Sequence, residues 1–237
     1  EVDSNPFELD SRKLAAPEIL PKHQSDKKMF ANERVLKQLP ICSSKRMEEV
    51  TLFILHDRKT EYLVAETSRQ LLGCQKQLQV KTKQINPLCI DFGGSRQKKQ
   101  QMVSDQVHHF LSQQQGSKAA YNPKDFFAIA LLQREDDYDV LKRALSDLNV
   151  LSQVVLVRTA RKMNLSVASN IIKQINAKLL GESVRIKMPQ FFSKEAVMVI
   201  GIDVCHAGKN SVVGFSSSFD PSFNKFWAEI IVQPKNQ

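Results

Sequence analysis

The chain has 237 residues, 42% of them hydrophobic and 25% charged, a balance that suits a globular protein able to bury a sizeable core. Its formal charge of +9 and pI near 9.4 favour an anionic partner such as nucleic acid, although a basic surface kept for solubility has the same composition. Cys42, Cys74, Cys89 and Cys205 lie far apart without a CxxC or Cys/His cluster, which argues against a zinc site or a disulfide framework. No apolar run approaches membrane-spanning length, and the start has no signal-peptide character. An intracellular protein with reduced thiols is expected, with cytoplasm and nucleus both open.

Residues 1–48, rich in Lys, Ser and Pro, have poor periodicity and are expected to be a linker segment, with one helix over 27–39. From Met47 the pattern changes to alternating strands and helices. VTLFILH (50–56) has the continuous apolar character of a strand buried on both faces. A helix follows over 59–73, with Tyr62, Leu63, Leu71 and Leu72 offered to the core and Gly73 as its stop. Weaker strands are expected at 78–81 and 87–92, then a helix over 95–115 buried through Met102, Val103, Val107, Phe110 and Leu111. FFAIALL (126–132) is the strongest strand signal in the chain. After it come a polar loop, QREDD, a helix carrying Tyr138 and Lys142, a strand at 154–158, and a helix over 165–181 that Gly181 would cap. Such alternation predicts an α/β, Rossmann-like parallel sheet with helices on both faces. Beyond Pro189 the period changes, and 196–204, 211–220 and 226–234 read as an antiparallel β-meander. The expected divisions are therefore a linker at 1–48, an α/β domain at 49–190, and the incomplete start of a second domain at 191–237. The absence of an initial Met and the polar end suggest a piece of a longer protein.

The polar residues that could act together are Tyr138, Lys142, Gln153, Gln174 and Lys178. Tyr138 and Lys142 are four apart, as are Gln174 and Lys178, so each pair shares one helix face. Two ammonium groups and a carboxamide suit a phosphate, a tyrosine ring can stack beneath a base, and a glutamine carbonyl suits a hard cation such as Mg2+. Taken singly, each reads first as a solvated helix position or a packed ring. Tyr138 follows a strand's carboxyl end by a few residues, where ligands of parallel sheets bind. The three carboxylates of QREDD are awkward beside an anion, unless Glu135 or Asp136 caps the following helix.

From DDYDVLKRAL through SQVVLVRT and VASNIIKQINAKLLGE to MVIGIDVCH and SVVGFSSSFD, the chain resembles the Argonaute/Piwi family, where a Mid domain runs into a Piwi domain. The resemblance spans about residues 126–220, and SRKLAAPEIL resembles the linker before the Mid domain. Gln174, GIDVCH and SVVGF resemble the Piwi branch. The resemblance implies a Mid domain at 49–190 followed by the first meander strands of an RNase H-like Piwi domain. It implies that Tyr138, Lys142, Gln153 and Lys178 hold the 5′-monophosphate of a small guide RNA, a piRNA in the Piwi branch, with the first base stacked on Tyr138. It also implies a Mg2+ ion at Gln174, completed in the family by the C-terminal carboxylate of the whole protein, so that a piece ending earlier should bind more weakly.

Asp203, at the end of an apolar strand, resembles the first metal-binding carboxylate of RNase H-like nucleases. It would hold a nuclease cation and act catalytically only in the full-length protein, on a target complementary to the guide. On its residues alone it reads first as a turn-capping carboxylate. His206 has no second ligand near it, the adjacent His108 and His109 point to different helix faces, and Lys98 and Lys99 read as a solvated helix start. Gly93-Gly94 lacks the spacing of a dinucleotide or Walker site. The rival readings are a nuclease working through Asp203 and a protein-interaction module without guide binding.

Overall fold

The computed structural model describes residues 13–20, 22, 28–114 and 121–235. Near its start, β1 (Glu18–Leu20) pairs antiparallel with β2 (Met29–Phe30). The helix expected over 27–39 is shorter: α1 (Glu33–Gln38) begins where the Asn32 side chain accepts the Val35 N–H, and Pro40 follows its end. Lys27 and the opening residues of the expected linker lie outside the described residues. The described part of that segment is packed rather than loose. Ile41 is fully buried, as is Met47 in α2 (Lys45–Glu49), and Ser43 exchanges two backbone hydrogen bonds with Glu182.

The central sheet is parallel, as the alternation predicts. β3 (Thr51–His56) is followed by α3 (Val64–Gly73), α4 (Gln75–Leu78) and β4 (Ile85–Cys89). Next come α5 (Arg96–Gln114), β5 (Phe126–Leu132), α6 (Tyr138–Asp147) and β6 (Leu151–Leu156). The strand order is β4-β3-β5-β6, which places β6 at an edge. α7 (Val157–Ala160) and α8 (Leu165–Lys178) follow. Alternate residues of the inner strands feed two cores. Leu52, Ile54, Phe127 and Ile129 pack with Leu71 of α3 and Ile171, Ile172 and Ile175 of α8. Phe53, Leu55, Ala128 and Ala130 pack with Val103 and Val107 of α5 and Leu141 and Leu145 of α6. All seven β5 residues are buried, each large side chain contributing about 1.5–3 kcal/mol.

Several expected boundaries shift. Residues 78–81 are not a strand: α4 ends at Leu78 and Gln79 takes a left-handed φ of 51°. The 154–158 strand begins earlier, at Leu151, and stops at Leu156 because the chain turns into α7. Tyr62 and Leu72 are exposed; the Tyr62 hydroxyl instead accepts from Arg161 Nε at 2.9 Å. α8 closes in a Schellman motif set one residue from the expected cap. Gly181 N–H donates to the Asn176 carbonyl and Leu180 N–H to that of Ala177, so Leu180, at φ 61°, holds the left-handed position. A Cβ at Gly181 would collide with the Asn176 carboxamide.

After α8, β7 (Arg185–Ile186) pairs with β1 and completes a three-stranded antiparallel sheet, β2-β1-β7. α9 (Gln190–Lys194) leads to the meander β8 (Ile200–Ala207), β9 (Asn210–Ser218) and β10 (Phe226–Pro234), antiparallel throughout in the order β10-β9-β8.

Candidate functional site

Lys142 lies one turn into α6 and Lys178 ends α8. The two helices cover opposite faces of the sheet, yet both lysines reach the same point on edge strand β6. Ser152, in register with Ala128, faces the α6 side; Gln153, in register with Ile129, faces the α8 side. The Ser152 hydroxyl accepts from Lys142 Nζ at 2.9 Å, and Gln153 Oε1 accepts from Lys178 Nζ at 2.9 Å. Between them the Ser152 carbonyl oxygen accepts from both ammonium groups, Lys178 at 2.7 Å and Lys142 at 3.3 Å. Gln153 Nε2 donates to the Val154 carbonyl at 3.0 Å.

This is an electropositive point, where two ammonium groups share one acceptor. Partial burial lowers the Lys142 pKa. Burial, followed by the neighbouring Lys142 charge, pulls Lys178 down to about 8. An anion placed here would be favoured by the same two charges that disfavour one another. Beside the lysines a cleft of about 400 Å³ is lined by Lys142, Ser146, Asn149, Leu151, Ser152 and Lys178. A second depression of about 410 Å³, on the α6 side, is lined by Glu135, Tyr138, Asp139, Val154 and Leu156. Tyr138, 45% exposed, offers its ring there.

The structure therefore brings together Lys142, Gln153 and Lys178, with Tyr138 one helical turn away. Their location differs from the expectation. Tyr138 does stand beyond the carboxyl end of β5, but Ser152 is only the second residue of β6, so the lysines meet on the flank of an edge strand. Gln174 sits one turn before Lys178 on α8, exposed and making no hydrogen bond among the described residues.

Two of the three QREDD carboxylates, Glu135 and Asp137, turn to cations, and none caps α6. Glu135 pairs with Arg158 at 2.5 Å and Asp137 with Lys99 at 2.7 Å, while Asp139 reaches Arg96 at 3.4 Å. Asp137 occupies the N-cap position of α6 without a side-chain cap bond. Lys99 is thus no solvated helix start: its side chain is 22% exposed and its partner's 16%. Sequence reasoning missed Ser152, Lys99 and Arg158. A signal for Lys99 existed in principle, because successive right-handed crossovers from β4 and β5 put α5 and α6 on one face.

Elsewhere, Asp203 is exposed on β8 opposite Gly214, on the strand face that also carries Gly201 and Cys205. His206 lies on the other face and bonds Ser211 Oγ through Nδ1 at 2.9 Å. His108 packs edge-on against Tyr121, and His109 Nε2 lies 2.8 Å from Gln113 Nε2. Asp220 takes backbone N–H groups of Ser222, Asn224 and Lys225; burial opposes its charge, but those bonds together hold its carboxyl below the usual value. No group of three or more His, Cys, Asp or Glu poised for a metal occurs among the described residues. A cleft of about 670 Å³ at the ends of β3 and β4 offers Arg58 and Lys59 but also Asp57 and Asp91, so its charge is mixed. No described helix is long and apolar enough to cross a membrane.

A sequence model of the Piwi domain matches residues 126–237, a span that begins with β5 and contains all five candidate residues. Piwi-like protein 1 of Gallus gallus is 32% identical over 110 residues, 44% of this chain and 12% of that protein. Protein aubergine of Drosophila melanogaster is 29% identical over 115 residues, 46% of this chain and 13% of that protein. These matched segments make up about an eighth of those relatives. Among solved structures, Drosophila Piwi superposes with a TM-score of 0.72 at 16% identity, covering 98% of this chain and 31% of that one. The C-terminal lobe of a budding yeast Argonaute gives 0.70 at 18% identity, covering 95% and 50%. Kluyveromyces polysporus Argonaute with a guide RNA gives 0.67 at 16% identity, covering 95% and 30%.

Proposed function

We propose that this chain, which belongs to the Argonaute/Piwi family, anchors the 5′-phosphorylated end of a small guide RNA where Lys142 and Lys178 meet on β6. The observation that carries the reading is the shared Ser152 carbonyl oxygen, which shows two ammonium groups already gathered around one oxygen. A terminal phosphate oxygen is a stronger acceptor than a carbonyl and would draw the same donors. Gln153 would supply a carboxamide to the phosphate, and the Tyr138 ring, within one helical turn, would stack on the first base, worth about 1–3 kcal/mol. The net charge of +9 suits the rest of the strand. The curated matches include Piwi-like proteins, which favours the Piwi branch and a guide of the piRNA class.

Mg2+ enters this proposal only with the phosphate. Gln174, the carboxamide assigned to the ion, stands exposed on α8 one turn before the Lys178 cation, and one neutral donor next to a cation does not fit a resident divalent ion. The ion would depend on phosphate oxygens and water for its other ligands.

Titration of the chain with a 5′-phosphorylated RNA decamer and its 5′-hydroxyl twin tests the reading. The phosphorylated oligonucleotide should bind more tightly, and Lys142→Ala and Lys178→Ala should each remove about tenfold of that preference. Equal affinity for the two oligonucleotides would sink the proposal. Replacing Mg2+ by a chelator should weaken only the phosphorylated oligonucleotide.

A second reading, cleavage of a complementary target by the full-length protein through Asp203, is favoured by the clear surface around that carboxylate. Gly214 lies opposite it in register, and Gly201, Cys205, Val212 and Ser216 surround it on that face. A two-metal cut needs further carboxylates close by. The 237-residue chain alone is therefore expected to leave a guide-paired target intact.

A further inference from the structure

We infer that Ser152 is a positioning residue of the anion site, holding the Lys142 and Lys178 ammonium groups at one point on β6 before any ligand arrives. The inference rests on the phosphate reading above and adds a residue to it. Two lysines from helices on opposite faces of a sheet have no reason to converge. Their charges repel, and each long side chain gives up rotamer freedom when fixed. The structure shows what offsets this. In a strand, consecutive residues face opposite sides while the carbonyl lies in the sheet plane. Ser152 can therefore turn its hydroxyl to Lys142 on the α6 side and leave its carbonyl, on the unpaired side of edge strand β6, to both lysines.

Ser152 is 3% exposed, so its hydroxyl would act through Lys142 rather than on the ligand. With the lysines pinned in advance, an arriving phosphate would not have to supply the ordering of either side chain, which is the usual gain from preorganisation.

The test is the same pair of RNA decamers, titrated into the chain and into Ser152→Ala, Lys142→Ala and the double variant, with thermal melts confirming that each is folded. Ser152→Ala should weaken the phosphorylated decamer about three- to tenfold and leave the 5′-hydroxyl decamer unchanged. Because Ser152 works through Lys142, the double variant should bind no more weakly than Lys142→Ala alone. Should Ser152→Ala fail to fold, Ser152→Thr and Ser152→Val carry the comparison, since they match in shape and differ in the hydroxyl. Threonine should then bind the phosphorylated decamer more tightly by the same factor. Additive losses in the double variant, or equal affinity of the Thr and Val forms, overturn the inference while the phosphate reading stands. A chain with no preference for the phosphorylated decamer removes both.

Discussion

Lys178 touches two oxygens, yet burial and the nearby Lys142 charge bring its pKa to about 8 from the ordinary lysine value of 10.5. Two pH dependences of opposite sign follow. Between about 8 and 10.5 the unfolded chain binds more protons than the folded one, so the stability of the unliganded fold rises with pH across that window. Phosphate affinity runs the other way, because the anion needs the charged ammonium, and it should fall as pH rises through about 8. Above pH 7.5 the RNA 5′-phosphate has already lost its second proton, so the change reports the protein. Lys178→Arg keeps its charge throughout this range and should flatten the affinity profile, measured as the dissociation constant from pH 7.5 to 9.5. An unaltered profile in that variant would mean that another group titrates. The acidic QREDD loop belongs to the same scale. Beside the proposed anion site it would be tolerated because Lys99 and Arg158 neutralise Asp137 and Glu135, pairings between residues 38 and 23 positions apart.

The helices that carry the site differ in how well their ends are made. α8 starts well, with the Asn164 side chain accepting the Val167 N–H, but it ends with Leu180 in the left-handed conformation where glycine is the usual residue. A β-carbon there costs roughly 1–2 kcal/mol, and the exposed Leu180 side chain recovers little of it by burial. Leu180→Gly should therefore stabilise the chain by about 0.5–1 kcal/mol in urea titration, after allowing for the greater freedom of glycine in the unfolded state. Destabilisation would mean that the Leu180 side chain packs more usefully than its exposure suggests. Strand β6 matters for its position more than its composition: only an edge strand can offer a main-chain carbonyl to side chains arriving from both faces.

Across the molecule, the described residues before residue 49 are fastened to the α/β unit. β1 is paired with β7, Ser43 with Glu182, and Ile41 and Met47 are wholly buried in the core that also contains α3 and α8. Met47→Ala should cost about 2–5 kcal/mol of unfolding free energy, since it leaves a cavity under β3. A loss below 0.5 kcal/mol would show the segment to be dispensable. The meander is differently placed: Ile200, Ile202, Val204, Trp227 and Ile231 stand on one of its faces, all exposed among the described residues.

Local patterning determined much of this protein before any tertiary structure was known. Continuous apolar runs made β3 and β5 legible as strands buried on both faces, the alternation with amphipathic helices implied a parallel sheet, and the change of period after Pro189 announced the meander. The i, i+4 spacing put Lys142 with Tyr138 and Lys178 with Gln174, and the order of those residues carried the family resemblance. What local patterning did not disclose was the strand order, β4-β3-β5-β6. That order makes β6 an edge and sends α6 and α8 to opposite faces, and those two facts make Ser152 the meeting point of the lysines and place that point on the strand's flank. The ion pairs of the QREDD loop have the same origin. They are contacts between elements far apart in the chain, created when the sheet assembles, and no short-range pattern of residues encodes them.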